Sequence, residues 1–107
     1  MSRLEHVGAV LLIAESEAKQ PVGTVRFESD DHWATARLSY VVAPEARGQG
    51  IARPMVHAAV AWLRERFRNV AVEADVIADN VRSLEVFRKL GWQEINLQDR
   101  RMRFRTP

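Results

Sequence analysis

Two glycines stand directly before an amphipathic helical pattern in the stretch EARGQGIARPM, residues 45–55. The first N–H groups of a helix lack backbone partners and carry the positive end of the helix dipole. Gly48 and Gly50 would let this backbone approach an anion without an intervening Cβ, and Arg47 adds positive charge. The spacing fits neither the nucleotide P-loop nor the GxGxxG motif. Two interpretations are therefore open, a tight turn beside a solvated arginine or a loop that cradles a phosphate.

Composition argues against several other kinds of site. The chain of 107 residues has no cysteine, so it can form neither a disulfide nor a thiolate nucleophile. Its three histidines, His6, His32 and His57, lack the spacing of a metal-binding pair, and we expect no metal. The net charge is only +2, and RRMRFR at residues 100–105 is the one dense basic cluster, so we expect no nucleic-acid partner.

The length predicts a single domain over residues 1–107. An apolar run, VGAVLLIA, lies near the N-terminus, but it is too short to span a membrane and ESEAKQ follows it in place of a cleavage site. We therefore expect no membrane partner and a cytoplasmic location.

The hydrophobic pattern predicts the elements that position the glycine loop. In the third strand, alternation puts Ala36, Leu38 and Tyr40 on one face. We predict a buried strand at about residues 7–14, further strands at about 22–29, 33–42 and 69–76, helices at about 50–67 and 81–91, and a closing hairpin over 92–105. The order βββ-α-β-α-ββ predicts an α/β (α+β) fold.

Two segments together resemble a known family. RGQGIA at residues 47–52, preceded by SYVVAPEA, resembles the R/Q-x-x-G-x-G/A signature of the GNAT superfamily of acetyl-CoA-dependent N-acetyltransferases. ADNVRSLEVFRKLGW at residues 78–92 resembles that superfamily's N-x-x-S/A-x-x-x-Y/F-x-x-x-G-F/W segment. A helix and a strand separate the two segments, as in the superfamily, and the resemblance covers about residues 22–95. It implies a GNAT-like mixed sheet in which the strand before the loop carries a bulge and splays from the next, parallel strand.

The resemblance implies acetyl-CoA as cosubstrate in the cleft between the splayed strands. The pyrophosphate would lie on the loop amides, the pantetheine arm would pair with the end of the third strand, and Asn80 would bind that arm. A helix N-cap is an equally open role for Asn80, and Arg88 or Lys89 could reach a CoA phosphate. The implied cofactor-binding residues are Val41, Val42, Ala43, Arg47, Gly48, Gln49, Gly50, Ile51, Ala52, Asn80, Ser83 and Phe87.

The implied reaction is direct attack of an amine on the thioester, with the backbone N–H of Val42 stabilising the oxyanion. Many members of the superfamily use a tyrosine, seven residues after the asparagine, to protonate the thiolate, but Phe87 stands here. Water or Ser83 could protonate it instead, or the thiolate could leave unaided; Tyr40 lies on the third strand and is not an obvious replacement. The candidate general bases, acting directly or through water, are Glu73, Asp75 and Glu28.

Superfamily members usually begin with a strand and one or two helices that wall the acceptor site, whereas this chain starts at about their second strand. An exposed first strand invites pairing, so we expect a homodimer or a partner chain to complete that site. The sequence therefore predicts an N-acetyltransferase for a small-molecule amine, with an amino sugar as one candidate. A non-catalytic acyl-CoA-binding or partner-interaction module is the alternative.

Overall fold

The computed structural model describes residues 8–107; His6, and Val7 at the predicted start of the first strand, lie outside the described residues. The elements are β1 (Gly8–Glu15), β2 (Pro21–Ser29), β3 (Thr35–Val42), α1 (Ala52–Arg66), β4 (Ala71–Ile77), α2 (Val81–Lys89), β5 (Gln93–Asn96) and β6 (Arg101–Arg105), with a short 3-10 helix over Pro44–Ala46. This order confirms the predicted succession βββ-α-β-α-ββ.

The strands form one mixed sheet in the order β1-β2-β3-β4-β6-β5. β1, β2 and β3 make an antiparallel meander, and β4, β6 and β5 form a second antiparallel group. β3 and β4 join the two groups as a parallel pair. A parallel pair requires a long crossover, and here α1 supplies it. The glycine loop is therefore the first segment of this crossover.

Both helices pack on one face of the sheet. On α1, the buried residues recur at intervals of three and four, the pattern of one helical face; they are Met55, Val56, Ala59, Val60 and Leu63. Pro54 falls in the first turn, where its missing N–H costs no intrahelical bond. The helix begins at Ala52 and not at Gly50, because Gly50 has a φ of +72°, outside the helical range.

β3 and β4 diverge after three paired positions. Thr35, Ala36 and Arg37 pair with residues 71–73, and within the described sheet the two strands do not pair beyond Arg37 and Glu73. β3 nevertheless continues to Val42 on the β2 side, and β4 continues to Ile77 on the β6 side. The predicted splay is thus present, and we call this wedge-shaped opening the strand gap.

Two details differ from the predictions. The pairing of β3 with β2 is continuous from Arg37 to Val42, so the gap arises from divergence of the strands and not from a bulge between these residues. β1 was predicted to be a buried strand, but it lies at the edge of the sheet and only its inner face is covered. Leu11 and Ile13 on its outer face are 58% and 61% exposed.

Two further properties of the described residues concern membrane-spanning helices and metal-binding groups. In the described part of the chain, neither helix combines the length and apolar character that a membrane span requires. Residues 8–107 also contain no group of three or more His, Cys, Asp or Glu side chains placed to hold a metal ion.

Candidate functional site

The backbone alternation of β3 directs unpaired polar groups into the strand gap. Ala43 donates its N–H to the carbonyl of Val22 on the β2 side, at 2.8 Å. Ala34 accepts from Ala71 on the β4 side, at 3.0 Å. The even-numbered residues of β3 therefore turn their N–H and C=O groups toward β4. Beyond the groups that close the last pair, the unpaired ones belong to Tyr40 and Val42.

The opposite wall of the gap follows the same rule. On the β6 side, the carbonyl of Val72 accepts from the N–H of Thr106, and the N–H of Ala78 donates to the carbonyl of Arg100. The odd-numbered residues of β4 consequently face β3, and past the last pair these are Asp75 and Ile77. Since strands are held together by such groups, an extended chain with amide groups could bind in the gap as an added strand.

The glycine loop closes one end of the gap with an uncapped helix terminus. Ile51 occupies the N-cap position of α1, and within the described residues no side chain caps it. The first turn of α1 has no acidic residue, which leaves its N–H groups and positive dipole available to an anion. Gly48 and Gly50 have φ values of +80° and +72°, and a Cβ built on either would meet no atom within 4 Å. The loop backbone is therefore open to a ligand.

Arg47 binds the backbone beside the gap instead of lying free in solvent. Its Nε donates to the carbonyl of Val42 at 3.0 Å. This contact holds the loop against the end of β3 and occupies the Val42 carbonyl. The N–H of Val42 still faces the gap, so it remains available to a ligand oxygen.

Asn80 caps α2 at the far wall of the cleft. Its Oδ1 accepts a hydrogen bond from the backbone N–H of Ser83 at 3.3 Å, which satisfies one orphan donor of the helix. The N-cap role is therefore present, and the side chain also lines the cleft. At the other end of α2, Gly91 has a φ of +80°, consistent with the predicted C-terminal glycine.

These elements enclose a cleft of about 680 Å³ that continues into the strand gap. Its walls come from the end of β3, the glycine loop, the start of α1 and the first two turns of α2. The cleft is lined by Tyr40, Val41, Val42, Ala46, Arg47, Gly48, Gly50, Ile51, Ala52, Asn80, Arg82, Ser83 and Val86. Among the predicted cofactor residues, Ala43, Gln49 and Phe87 are absent from this lining, although Phe87 lines the adjoining hollow inside the gap.

A pair of hydroxyl groups lies where the cleft meets the strand gap. The Tyr40 hydroxyl and Ser83 Oγ are 2.8 Å apart and join β3 to α2. Sequence reasoning set Tyr40 aside, although its place on the inner face of β3 was already visible in the alternation. Phe87 has a ring that is 1% exposed and stacks on Phe104 at 5.2 Å. The predicted candidate Ser83 thus has a partner, and Phe87 is a core residue.

The three predicted bases are all engaged in ion pairs on the outer face of the sheet. Arg103 donates two hydrogen bonds to the Asp75 carboxylate, at 2.8 and 3.1 Å. These bonds hold the pKa of Asp75 below its ordinary value, although partial burial opposes them. Arg105 lies 3.2 Å from Glu73. An ionised carboxylate with a lowered pKa is a weak base, so the Arg103 pair makes Asp75 a poor candidate for strong base catalysis.

Glu28 lies with Glu73 around a separate outer hollow of about 440 Å³, and Asp75 lines the strand gap instead. Glu28 is paired with Arg26 at 2.7 Å, and both side chains are about half exposed. The structure therefore does not bring the three carboxylates together at one point.

The cations near the cleft are only partly those that the resemblance suggested, because Arg47 lines the cleft and Lys89 lines a neighbouring hollow, whereas Arg88 lines neither. Arg88 is bound to Glu94 by two hydrogen bonds of 2.9 and 3.0 Å and does not line the cleft. Arg82 lines the cleft, and Arg53 joins it around a neighbouring hollow of about 220 Å³ with Lys89. Sequence reasoning missed Arg53 and Arg82, because only the packing of α1 beside α2 places the first turns of both helices together.

Comparison with known proteins agrees with this geometry. Residues 2–93 match the family model described as the acetyltransferase (GNAT) domain. No curated protein matches the chain.

Solved structures share the fold at low sequence identity. A spermidine N-acetyltransferase SpeG chimera from Vibrio cholerae and hSSAT superposes with a TM-score of 0.81 at 17% identity, over 92% of this chain and 66% of that one. A domain from Methanocaldococcus jannaschii gives 0.75 at 18% identity, over 92% and 66%. The GNAT domain of S. lividans PAT gives 0.75 at 22% identity, over 91% and 59%. The chain thus spans about two thirds or less of the length of these structures.

The family match covers most of the chain, and the two signature segments lie on opposite walls of one cleft. The chain therefore belongs to the GNAT acetyltransferase domain family.

Proposed function

We propose that the chain transfers the acetyl group of acetyl-CoA to a primary amine of a small molecule by direct attack. The observation that carries this proposal is the strand gap, whose unpaired backbone groups lead directly to the uncapped N-terminus of α1. CoA combines a pyrophosphate with an extended arm that contains amide groups. One ligand of this kind would satisfy both features at once.

In this proposal each wall of the cleft has a binding role. The pyrophosphate binds the amides of the glycine loop, while Arg53 and Arg82 add charge near the phosphates. The arm pairs with the end of β3, and Asn80 binds it from α2. The residues assigned to cofactor binding are Val41, Val42, Ala43, Arg47, Gly48, Gln49, Gly50, Ile51, Ala52, Asn80, Ser83 and Phe87, with Phe87 acting through packing beneath the gap.

The N–H of Val42 faces the gap and would donate to the thioester oxygen, where negative charge grows in the transition state. We assign removal of the amine proton to solvent at the outer mouth of the gap. Asp75 borders that mouth, but its lowered pKa makes it a poor proton acceptor, so its role would be to accept a hydrogen bond from the acceptor substrate. Glu28 and Glu73 retain the same secondary role from the outer hollow.

The charges and apolar side chains on the outer face of the sheet indicate which kind of acceptor amine would fit. Arg103 and Arg105 neutralise the carboxylates of Asp75 and Glu73, so this face lacks the concentrated negative charge that would favour a polycation. Val41 and Ile77 flank the mouth of the gap and are 58% and 60% exposed. A monoamine with a mixed polar and apolar body, such as an amino sugar, fits these walls better than spermidine.

A second candidate function is an acyl-CoA-binding module without catalysis. The observation that favours it is the ion pairing of all three candidate bases, together with the phenylalanine at position 87. Tight CoA binding with no thiol release from any amine would support this alternative.

We also propose that a second copy of the chain covers the outer face near β1. Leu11 and Ile13 are exposed there on an edge strand. Ile13 lies opposite Thr24, and Thr24 lies opposite Val41. A partner seated on this row would therefore reach the mouth of the gap and could complete the acceptor site.

The test has two stages that separate binding from chemistry. Isothermal titration with CoA and acetyl-CoA measures affinity, and a thiol-release assay then compares amino sugars, spermidine and amino acids as acceptors. We expect saturable CoA binding and acetyl transfer to at least one monoamine. If neither CoA nor acetyl-CoA binds at millimolar concentration, the proposal fails.

A further inference from the structure

We infer that Tyr40 donates the proton to the departing thiolate, and that Ser83 positions its phenol. This inference rests on the proposed function, because it assigns an acid to the same reaction. Tyr40 is the only tyrosine in the chain. It comes from a strand, whereas the motif would place the acid at position 87 on α2.

The placement of both hydroxyl groups supports this role. Tyr40 and Ser83 each line the cofactor cleft and the hollow inside the strand gap. A ligand that runs from the glycine loop into the gap must pass the residues that the cleft and the hollow share. Their hydroxyl oxygens, 2.8 Å apart, therefore lie beside the path of the arm that carries the thioester.

Phe87 supports this arrangement without being able to donate a proton. Its ring is buried against Trp92 at 4.9 Å and Phe104 at 5.2 Å. The ring of Tyr40 meets it edge to face, with centroids 6.2 Å apart. Such contacts fix the orientation of an aromatic ring, so Phe87 acts as the packing surface that aims the phenol into the gap.

The direction of the hydrogen bond between the two hydroxyl groups decides which of them can act as the acid. If Ser83 donates its proton to the phenol oxygen, the Tyr40 proton is free to point at the sulfur. Ser83 can do so because the Asn80 cap uses only its backbone N–H. When Tyr40 has given up its proton, the same serine hydroxyl stabilises the phenolate.

The proton balance of the step is complete. The amine nitrogen forms a bond to the acyl carbon and releases one proton to solvent. The carbon–sulfur bond breaks, and Tyr40 protonates the thiolate to give free CoA. Solvent then returns a proton to the phenolate, so the products are an amide and a thiol.

Charged residues from three neighbouring segments line the cleft or the gap beside this pair. Arg82 on α2 and Arg47 in the glycine loop line the same cleft. Asp75 on β4 lines the gap, but its carboxylate is bound by Arg103. In the described lining of the cleft and the gap, the charged side chains are therefore two arginines and one carboxylate that an arginine binds.

The central experiment compares Tyr40→Phe with the unmodified protein in steady-state acetyl transfer over a range of pH. Tyr40→Phe keeps the ring and its packing and removes only the hydroxyl. We expect kcat to fall by about 100-fold, within the usual range for loss of a general acid, while the Kd for CoA changes less than about twofold. We expect kcat of the unmodified protein to decline at high pH and this decline to be absent from the variant.

Ser83→Ala tests the positioning role by a separate signal. Because Tyr40 is the only tyrosine, its ionisation can be followed by ultraviolet absorbance. We expect Ser83→Ala to move the midpoint of that ionisation to higher pH and to lower kcat by several-fold, with the helix cap intact. Ser16→Ala, which removes a hydroxyl from the exposed β1–β2 turn, is the matched control and should change neither quantity.

The outcomes separate this inference from the function on which it rests. If the unmodified protein binds CoA but acetylates no amine, the proposed transferase function fails and Tyr40 has no acid role. If the unmodified protein is active and Tyr40→Phe keeps its kcat within about twofold, this inference is overturned and the transferase function stands. An unchanged tyrosine titration in Ser83→Ala would overturn the positioning role of Ser83.

Discussion

Replacing Gly50 by alanine, which adds a single methyl group, would distinguish a phosphate-binding loop from a simple turn. Gly50 has a φ of +72°, and a Cβ built there meets nothing within 4 Å. Gly91 is a close match, with a φ of +80° and the same open space, but it lies at the end of α2 away from the cleft. Replacing each glycine by alanine therefore imposes the same backbone strain at two sites, only one of which borders the proposed pyrophosphate.

The expected losses of stability and of CoA affinity follow from comparing these two variants. A left-handed conformation costs an alanine about 1 kcal/mol, so both variants should lose a similar amount of stability. For a domain of this size, that loss lowers Tm by roughly 4–8 °C. At Gly50 the methyl group also fills space that the phosphate needs and weakens at least one charge-assisted amide hydrogen bond. Such a bond contributes about 1.5–3 kcal/mol, which corresponds to at least a tenfold rise in Kd.

The assay is isothermal titration of CoA into three proteins, with thermal unfolding of each measured in parallel. We expect Gly50→Ala to bind CoA at least tenfold more weakly than Gly91→Ala, at a comparable Tm. Equal affinities for the two variants would refute the phosphate assignment, because the loop would then be only a turn. A fall in affinity shared by both would mean that general destabilisation, and not the cradle, controls binding.

Three other predictions concern the scaffold. The Asp75–Arg103 pair should stabilise the fold above the ordinary aspartate pKa of 3.8 and lose that effect as the pH falls through the lowered folded-state value. Urea unfolding should therefore show Asp75→Asn to be about 1 kcal/mol less stable at pH 7, with a difference that vanishes in acid. Leu63→Ala, at a fully buried position of α1, should cost about 2–5 kcal/mol in the same assay, whereas the exposed Ala58→Ser should cost little. Ile13→Lys should reduce self-association in sedimentation velocity, while Glu15→Lys at the end of the same outer face should not; a monomeric unmodified protein would contradict the proposed dimer.

The elements were predictable because their signals are local. Alternation along β3 fixed which side chains face inward, and Ala36 and Leu38 are indeed buried. The spacing of apolar residues fixed the buried face of α1, and the glycines marked where it begins. These patterns depend on neighbours within a few residues, which a single sequence contains in full.

The chemistry of the site was less predictable because it depends on contacts between distant segments. Tyr40 and Ser83 are 43 positions apart, and their contact requires the path of the chain through α1 and β4. The pairing of Asp75 with Arg103 depends on the register of β4 against β6. Alternation shows that these carboxylates face outward, but it cannot show that arginines of another strand neutralise them.

The strand gap also explains how a strand, and not a helix, can supply the general acid. Proton transfer depends on where the donor oxygen lies relative to the sulfur, and not on the element that carries it. β3 and the start of α2 border the same opening, so a phenol can reach it from either wall. Because Tyr40 supplies the hydroxyl in this proposal, the residue at position 87 needs no acidic group. Phe87 packs there in the core, on Trp92 and Phe104. Phe87 therefore contributes packing beneath the gap at the position where the motif would place the acid.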